Sequence, residues 1–246
     1  MNYQKRDPVL MLLTAAGGLV SALITICADY SLGHFAVSQN NRLLDSSLYL
    51  CFPGVVFGVL VSGCFALRGY LHGLWKAVAI TAAFSVAYFL AFLAAAQVSL
   101  QPFGFLPQDR IGDVTGPALI AGGLAGAFCV ICPVSLSLDS RLTWQRRMLK
   151  ALCWSPVGAV LGLAGWALGP SLGISLWQLV HSMNLTPPGE AIRNAQGQQS
   201  HMYSLFAVWQ AGIGFVLGLV VNRNGQTTMD LTPHKSSRIT TLTDKS

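Results

Sequence analysis

The chain has 246 residues, 53% hydrophobic and only 10% charged, with a formal net charge of +6 and a mean hydropathy of +0.55. Soluble domains carry about 25% charged residues, so an ordinary soluble enzyme is a poor fit. The basic residues lie in short gaps and form no separate basic domain, so no nucleic-acid partner is expected.

Between the gaps run apolar stretches long enough to cross a hydrocarbon core of about 30 Å, which takes about 20 helical residues. Helix is the form they must take. Lipid satisfies no open backbone group, and the alternation of a barrel strand is missing.

The first stretch, Pro8–Ala28, opens on Asp7-Pro8, a capping carboxylate before a proline at the first helical position. It is longer than the usual ~7–15-residue core of a secretory leader and reads as a retained signal anchor. The second, Leu48–Leu67, holds Pro53 and small residues every fourth position at Gly54, Gly58 and Ser62. The third, Ala77–Val98, repeats the spacing with Ala83, Ala87 and Ala91. Thr115-Gly116-Pro117 opens the fourth, Pro117–Ser137, which carries Ala118, Gly122 and Gly126. The fifth, Ala151–Gly169, holds Pro156, Gly158 and Gly162, and Gly169-Pro170 predicts its stop. Beyond it, Leu172, Leu176, Leu179 and Met183 predict one apolar face on a helix lying flat at the membrane surface. The sixth, Tyr203–Val221, has Gly214 and Gly218. Residues 222–246 are polar and rich in Ser and Thr, and read as a disordered cytoplasmic tail.

Lysine and arginine set the orientation. The N-terminus, the second and fourth connections and the tail together carry twelve of them, against Arg42, Arg110 and Arg193 on the other side. Both termini are therefore expected in the cytoplasm, in the inner (plasma) membrane of a bacterium. The fourth-residue small faces let helix backbones approach closely. They predict a compact bundle, and they also offer a surface to a second copy or to a membrane-protein partner, with the lipid bilayer as the general surrounding.

A repeat is visible as well. AGGLVSALITIC at 16–27 and AGGLAGAFCVIC at 121–132 share seven of twelve positions without a gap. Leu50-Cys51-Phe52-Pro53 before Gly54 and Gly58 has a counterpart in Leu152-Cys153-Trp154-Ser155-Pro156 before Gly158 and Gly162. Three spans per unit is odd, so two such units would insert in opposite senses, as transporter repeats do. The fold class expected is therefore an all-α integral membrane protein, a six-transmembrane-helix bundle over residues 1–221, with two inverted three-helix repeats as a further expectation.

Chemistry is sparse. Cys129-Val-Ile-Cys132 places two thiols on one helix face, but a redox pair needs an accessible thiolate and a zinc site needs two more soft ligands. Both are expected to be structural, with no metal and no cofactor. No Asp, Glu, Lys, Arg or His falls at the centre of a span. Proton-coupled carriers and intramembrane enzymes need such groups, so no catalytic residue is expected. The polar side chains left are Gln210, beside Trp209, and Tyr88, with Ser85 and Thr81 in the same span. Gln210 is read either as a ligand to a substrate or as a hydrogen bond between helices. Pro53 and Pro156 free backbone carbonyls for a ligand or simply bend their helices. Asp109 and Asp113 read as a solvated loop rather than a cation site. The function expected is a small uncoupled transporter or channel-like protein for a neutral solute. The alternative is a non-catalytic membrane scaffold, and a membrane thiol oxidoreductase is a distant third.

Overall fold

The computed structural model describes residues 7–32, 42–100, 116–138, 143–183 and 192–229. Asp109, Arg110, Asp113, Glu190 and the tail from 230 lie outside the described residues. Among the described residues the chain is helical, in seven helices: α1 (Pro8–Leu32), α2 (Arg42–Leu67), α3 (Leu74–Leu100), α4 (Gly116–Leu138), α5 (Trp144–Ala167), α6 (Ile174–Ser182) and α7 (Ile192–Met229). Five stretches are long and apolar enough to cross a membrane: Pro8–Ala28, Leu74–Ala95, Gly116–Leu138, Trp144–Ala167 and Ser200–Val221. The predicted second span is not among them: the apolar part of the 26-residue α2 found in the described residues is Cys51–Leu67, shorter than the other five. Helix α7 continues to Met229, beyond Val221 where the tail was expected to begin.

The helix ends follow the local sequence. Asp7 Oδ1 accepts the Leu10 N–H at 3.2 Å, the expected cap of α1. Its Oδ2 takes the Arg68 guanidinium at 2.6 Å, tying the start of α1 to the end of α2. Gly69, at φ +73°, ends α2: Gly69 N–H donates to the Ala66 carbonyl and Tyr70 N–H to the Phe65 carbonyl. That pair of bonds is a Schellman ending, which requires the left-handed residue glycine supplies. Pro170 does more than stop α5. It opens a π-type turn, Gly169–Gly173, that runs directly into α6.

Packing follows the chain around a ring. Each of α1 to α4 packs on its successor, α5 packs on α7, and α7 closes back onto α1. Glycines set the closest approaches. A Cβ at Gly58 would lie 2.7 Å from Thr81 Cα, and one at Gly123 would lie 2.5 Å from the Gly158 carbonyl oxygen. Gly18 lies against the backbone of Gln210 and Ala211, Gly214 against Thr14, and Gly218 against Met11 and Thr14. As the index rises along α1 it falls along α7, so these two helices are antiparallel. We call the end where α1 starts the near end and the opposite end the far end.

Two apolar clusters fill the ring. The larger runs from mid-bundle to the near end and draws on all six long helices, with Leu10, Phe65, Ile80, Val134, Ala151 and Val220 among its wholly buried members. The smaller lies at the far end, where Leu176 and Val180 of α6 pack against Ala22 and Ile26 of α1 and Tyr203 and Ala207 of α7. The apolar face of α6 thus differs from the expected one. Leu172 and Leu176 face the bundle, but Leu179 and Met183 are exposed, because the row at spacing four through Val180 docks instead. Outward positions such as Leu12, Val59, Val86 and Val160 are apolar and exposed, as lipid-facing positions are.

The inverted repeat does not survive the packing. If α1 and α2 corresponded to α4 and α5, Gly122 would face α5 as Gly17 faces α2. Gly17 does meet Leu60 and Cys64 of α2, but Gly122 meets Ala91 and Ala95 of α3. Likewise Gly58 faces α3, whose counterpart would be α7, whereas Gly162 faces Leu119 of α4. The geometrical reason is general. A two-fold axis in the membrane plane reverses the sense in which a ring is traversed, and this ring runs in one sense throughout. The shared residues reflect two helices that both need small packing faces.

Candidate functional site

Helix α7 presents its polar side chain at the middle of its apolar stretch. Gln210 lies ten residues from Ser200 and eleven from Val221, and its side chain is wholly buried. Gln210 is held there by its backbone. Gly18 of α1 lies directly on the Gln210 carbonyl, and Gly214 and Gly218 continue the same seam. Neither the amide oxygen nor the amide nitrogen of Gln210 makes a hydrogen bond of good geometry. In water these atoms would be satisfied; unmet inside a protein, such a group costs about 1–3 kcal/mol.

Tyr88 of α3 meets this amide across the ring. Its hydroxyl lies next to Gln210, though no hydrogen bond of good geometry joins them. The Trp209 ring stands edge-on to Tyr88, with centroids 5.4 Å apart at 83°. Tyr88 in turn meets Phe57 edge-on at 6.4 Å, and Phe57 packs on Phe84 at 5.4 Å. Such aromatic pairs contribute about 0.5–1.5 kcal/mol each beyond area burial. Trp209 reaches this position because Gly126 of α4 has no side chain; a Cβ there would lie 2.9 Å from Trp209 Cζ2. The ring centre is therefore plugged by aromatics, with a polar pair at its edge.

Three of the five predicted site residues come together here: Gln210, Trp209 and Tyr88. The two prolines do not. Pro156 is exposed on the outer face of α5, and the Leu152 carbonyl it deprives of a donor accepts the Ser155 hydroxyl at 2.8 Å. Pro53 is buried within an unbroken α2 and beside α3, where Ser85 Oγ donates to the Cys51 carbonyl at 3.3 Å. Both helices run through their prolines. Thr81 packs against Gly58.

Two buried residues on the far-end side of Gln210 escaped the sequence reading. Ser21 and Ser204 are wholly buried, and their hydroxyls lack partners. The register of the α1–α7 seam sets Ser21 opposite Ala207 and Thr25 opposite Ser204, successive turns toward the far end from Gln210. A signal existed: Ser21 follows Gly18 by one helical turn, in the row that includes Thr14 and Thr25. Thr14 and Thr25 return their hydroxyls to the carbonyls of Leu10 and Ser21, at 2.8 and 2.9 Å. Among the described residues, buried polar side chains are Thr, Ser and Gln only. The layer carries no charge. It offers N–H and O–H donors and amide and hydroxyl acceptors, the complement of a small neutral molecule that has both.

The thiols lie elsewhere. Cys129 and Cys132 line an apolar groove between α3 and α4, and Cys132 Sγ rests 3.2 Å from Met148 Sδ. All the cysteines are free, and among the described residues no three His, Cys, Asp or Glu side chains gather into a metal-binding group.

No protein-family profile, curated protein or solved structure matches this chain. The functional reading therefore rests on the geometry of the Gln210 layer.

Proposed function

We propose that this chain is a small uncoupled transporter or channel-like protein for a neutral solute, with Gln210 and Tyr88 as its internal site and Trp209 as the plug beside it. The observation that carries the reading is the wholly buried, unpartnered amide of Gln210 at the middle of α7. With no charge in the layer, a charged substrate would go uncompensated, whereas water or a small polyol or amide suits it. The repeat contributes nothing to this reading. The bundle is taken as six spans, α2 being the sixth, in a bacterial inner membrane. Its near end, with Arg68, Lys76, Arg146, Arg147 and Lys150, is assigned to the cytoplasm by the positive-inside rule. No catalytic activity is proposed.

The test is stopped-flow shrinkage of proteoliposomes challenged with glycerol, urea or sucrose. Wild-type protein should raise permeability to at least one small neutral solute, and Gln210→Leu should return it to the lipid baseline. A wild-type rate equal to that of empty vesicles for water and all solutes would overturn the reading. A second reading, a non-catalytic membrane scaffold, is favoured by the filled near half of the ring and by the apolar α3–α4 groove. It would take the first reading's place on that result.

A further inference from the structure

The α3–α4 groove has a volume of about 430 Å³ and is lined almost wholly by apolar atoms, among them Ala83, Val86 and Leu90 of α3 and Cys129, Cys132 and Leu136 of α4. It opens on the outside of the ring, where lipid lies. Leu136 marks its near-end mouth, and there the chemistry changes. Arg147 of α5 donates from Nη1 to the Leu136 carbonyl at 3.1 Å, which caps one of the last free carbonyls of α4. That bond uses one of five guanidinium donors. Arg147 Nε is buried and has no partner. A second marker stands on α3. Trp75 lies two helical turns before Ala82, another lining residue, on the same face, and is 82% exposed. Exposed tryptophans take the headgroup level of a bilayer, and Trp144, at the start of α5, is exposed at the same end. Among the described side chains at this end, Asp7 is the carboxylate, and it is already engaged by Arg68.

We propose that this groove holds one acyl chain of an anionic phospholipid, with the lipid phosphate paired to Arg147. An acyl chain fits because the groove is open to the bilayer along its length, from Phe128 to Leu136, about 12 Å at 1.5 Å per residue. Charge selects the headgroup. Arg147 sits at the mouth with donors to spare, and exposed Lys76 and Arg146 stand at the same end of the bundle, with Asp7 the carboxylate among the described side chains there. Basic positions of this kind between spanning helices recognise anionic lipid headgroups, and a guanidinium pairs with phosphate in a bidentate fork. A second protein helix is the rival occupant, but a partner chosen for a purely apolar face gains nothing from an Arg at its edge.

Native mass spectrometry of the purified full chain, offered equimolar phosphatidylglycerol and phosphatidylcholine, tests the proposal. Wild-type protein should retain phosphatidylglycerol about fivefold over phosphatidylcholine, as one basic residue at an anionic headgroup implies. Arg147→Ala should bring the ratio near one, and Arg147→Lys should restore most of it. Ala83→Phe, which fills the groove, should reduce retention of both lipids, with thermal unfolding used to check that the bundle is intact. Equal retention by wild type, a preference unchanged in Arg147→Ala, or a dimer that forms in place of the lipid complex would each overturn it. Inorganic phosphate in place of lipid should bind too weakly to survive. Retention of phosphate alone, with no gain from the acyl chain, would also count against it.

Discussion

The α1–α7 seam and the α3–α4 pair are both lined with small residues, yet one is closed and the other gapes. On the seam the small residues meet backbone. Gly18 lies on Gln210, Gly214 on Thr14 and Gly218 on Met11, over two successive helical turns. Between α3 and α4 the glycine contacts are those of Gly122 and Gly126 with Ala91 and Ala95. Nearer the other end, alanines on α3 face two cysteines and a proline on α4, and the groove remains. A small residue lets backbones approach where the helix axes cross. Away from the crossing it only leaves space. The two regions also differ in what they bury: the seam encloses an unpartnered amide, whereas the groove is apolar and ends at an arginine.

Substitutions that exchange the character of the two regions sharpen this contrast. Gly18→Leu drives a side chain into the Gln210 carbonyl and should cost about 3 kcal/mol, at the upper end of overpacking penalties. Ala83→Leu, the same kind of enlargement in the groove, should change stability by less than about 0.5 kcal/mol. Denaturant unfolding in mixed micelles reads both, and equal losses would erase the distinction between seam and groove. Gln210→Leu removes the unmet amide and should stabilise the bundle by about 1–2 kcal/mol while abolishing solute flux. A variant destabilised by a similar amount would mean that the amide is bonded in the protein and has no group to offer a solute.

The smallest effect is expected at the Asp7–Arg68 clamp, which ties the seam's first helix to α2. Burial alone pushes the Asp7 carboxyl up. The Arg68 guanidinium and the Leu10 and Val9 N–H groups outweigh it and leave the carboxyl below its usual value of 3.8. A carboxyl lowered on folding adds stability above its unfolded pKa, and that stability is lost as the pH falls through the lower folded value. The loss should therefore begin below about pH 4. With Arg68 40% exposed, solvent screens the pair, so Arg68→Ala should cost no more than about 1 kcal/mol at pH 7 and nothing at pH 2. A cost that persists at pH 2 would assign the effect to packing of the arginine stem.

Much of the fold was legible because bilayer physics simplifies the code. Apolar length located the helices, Asp7-Pro8 located the start of the first, and the four-residue rows of small residues located real contacts at Gly58, Gly126 and Gly218. The ring order was not legible. Periodicity shows that Gly122 lies on a packing face but not whether α3 or α5 meets it, and that choice decides against the repeat. Gln210, Trp209 and Tyr88 could be nominated because a polar or amphipathic side chain in a span stands out against its surroundings. The effect of the prolines was not legible, because it depends on whether a neighbour takes the freed carbonyl, as Ser155 does at Pro156. Ser21 was hidden because a serine in a small-residue row reads as packing. The place of Arg147 beside Leu136 was not legible, since it depends on how α5 turns back on α4.

The central claim is that the Gln210 layer exchanges with small neutral molecules on their way through the bundle. Cysteine accessibility tests it most directly. On a background with the six native cysteines replaced, Gln210→Cys and Leu217→Cys would be exposed in membrane vesicles to a small uncharged methanethiosulfonate. The account predicts that the thiol at 210 is modified, and that the thiol at 217, inside the filled near half, is modified more slowly. Equal protection at both positions would show a dry bundle throughout and would contradict it.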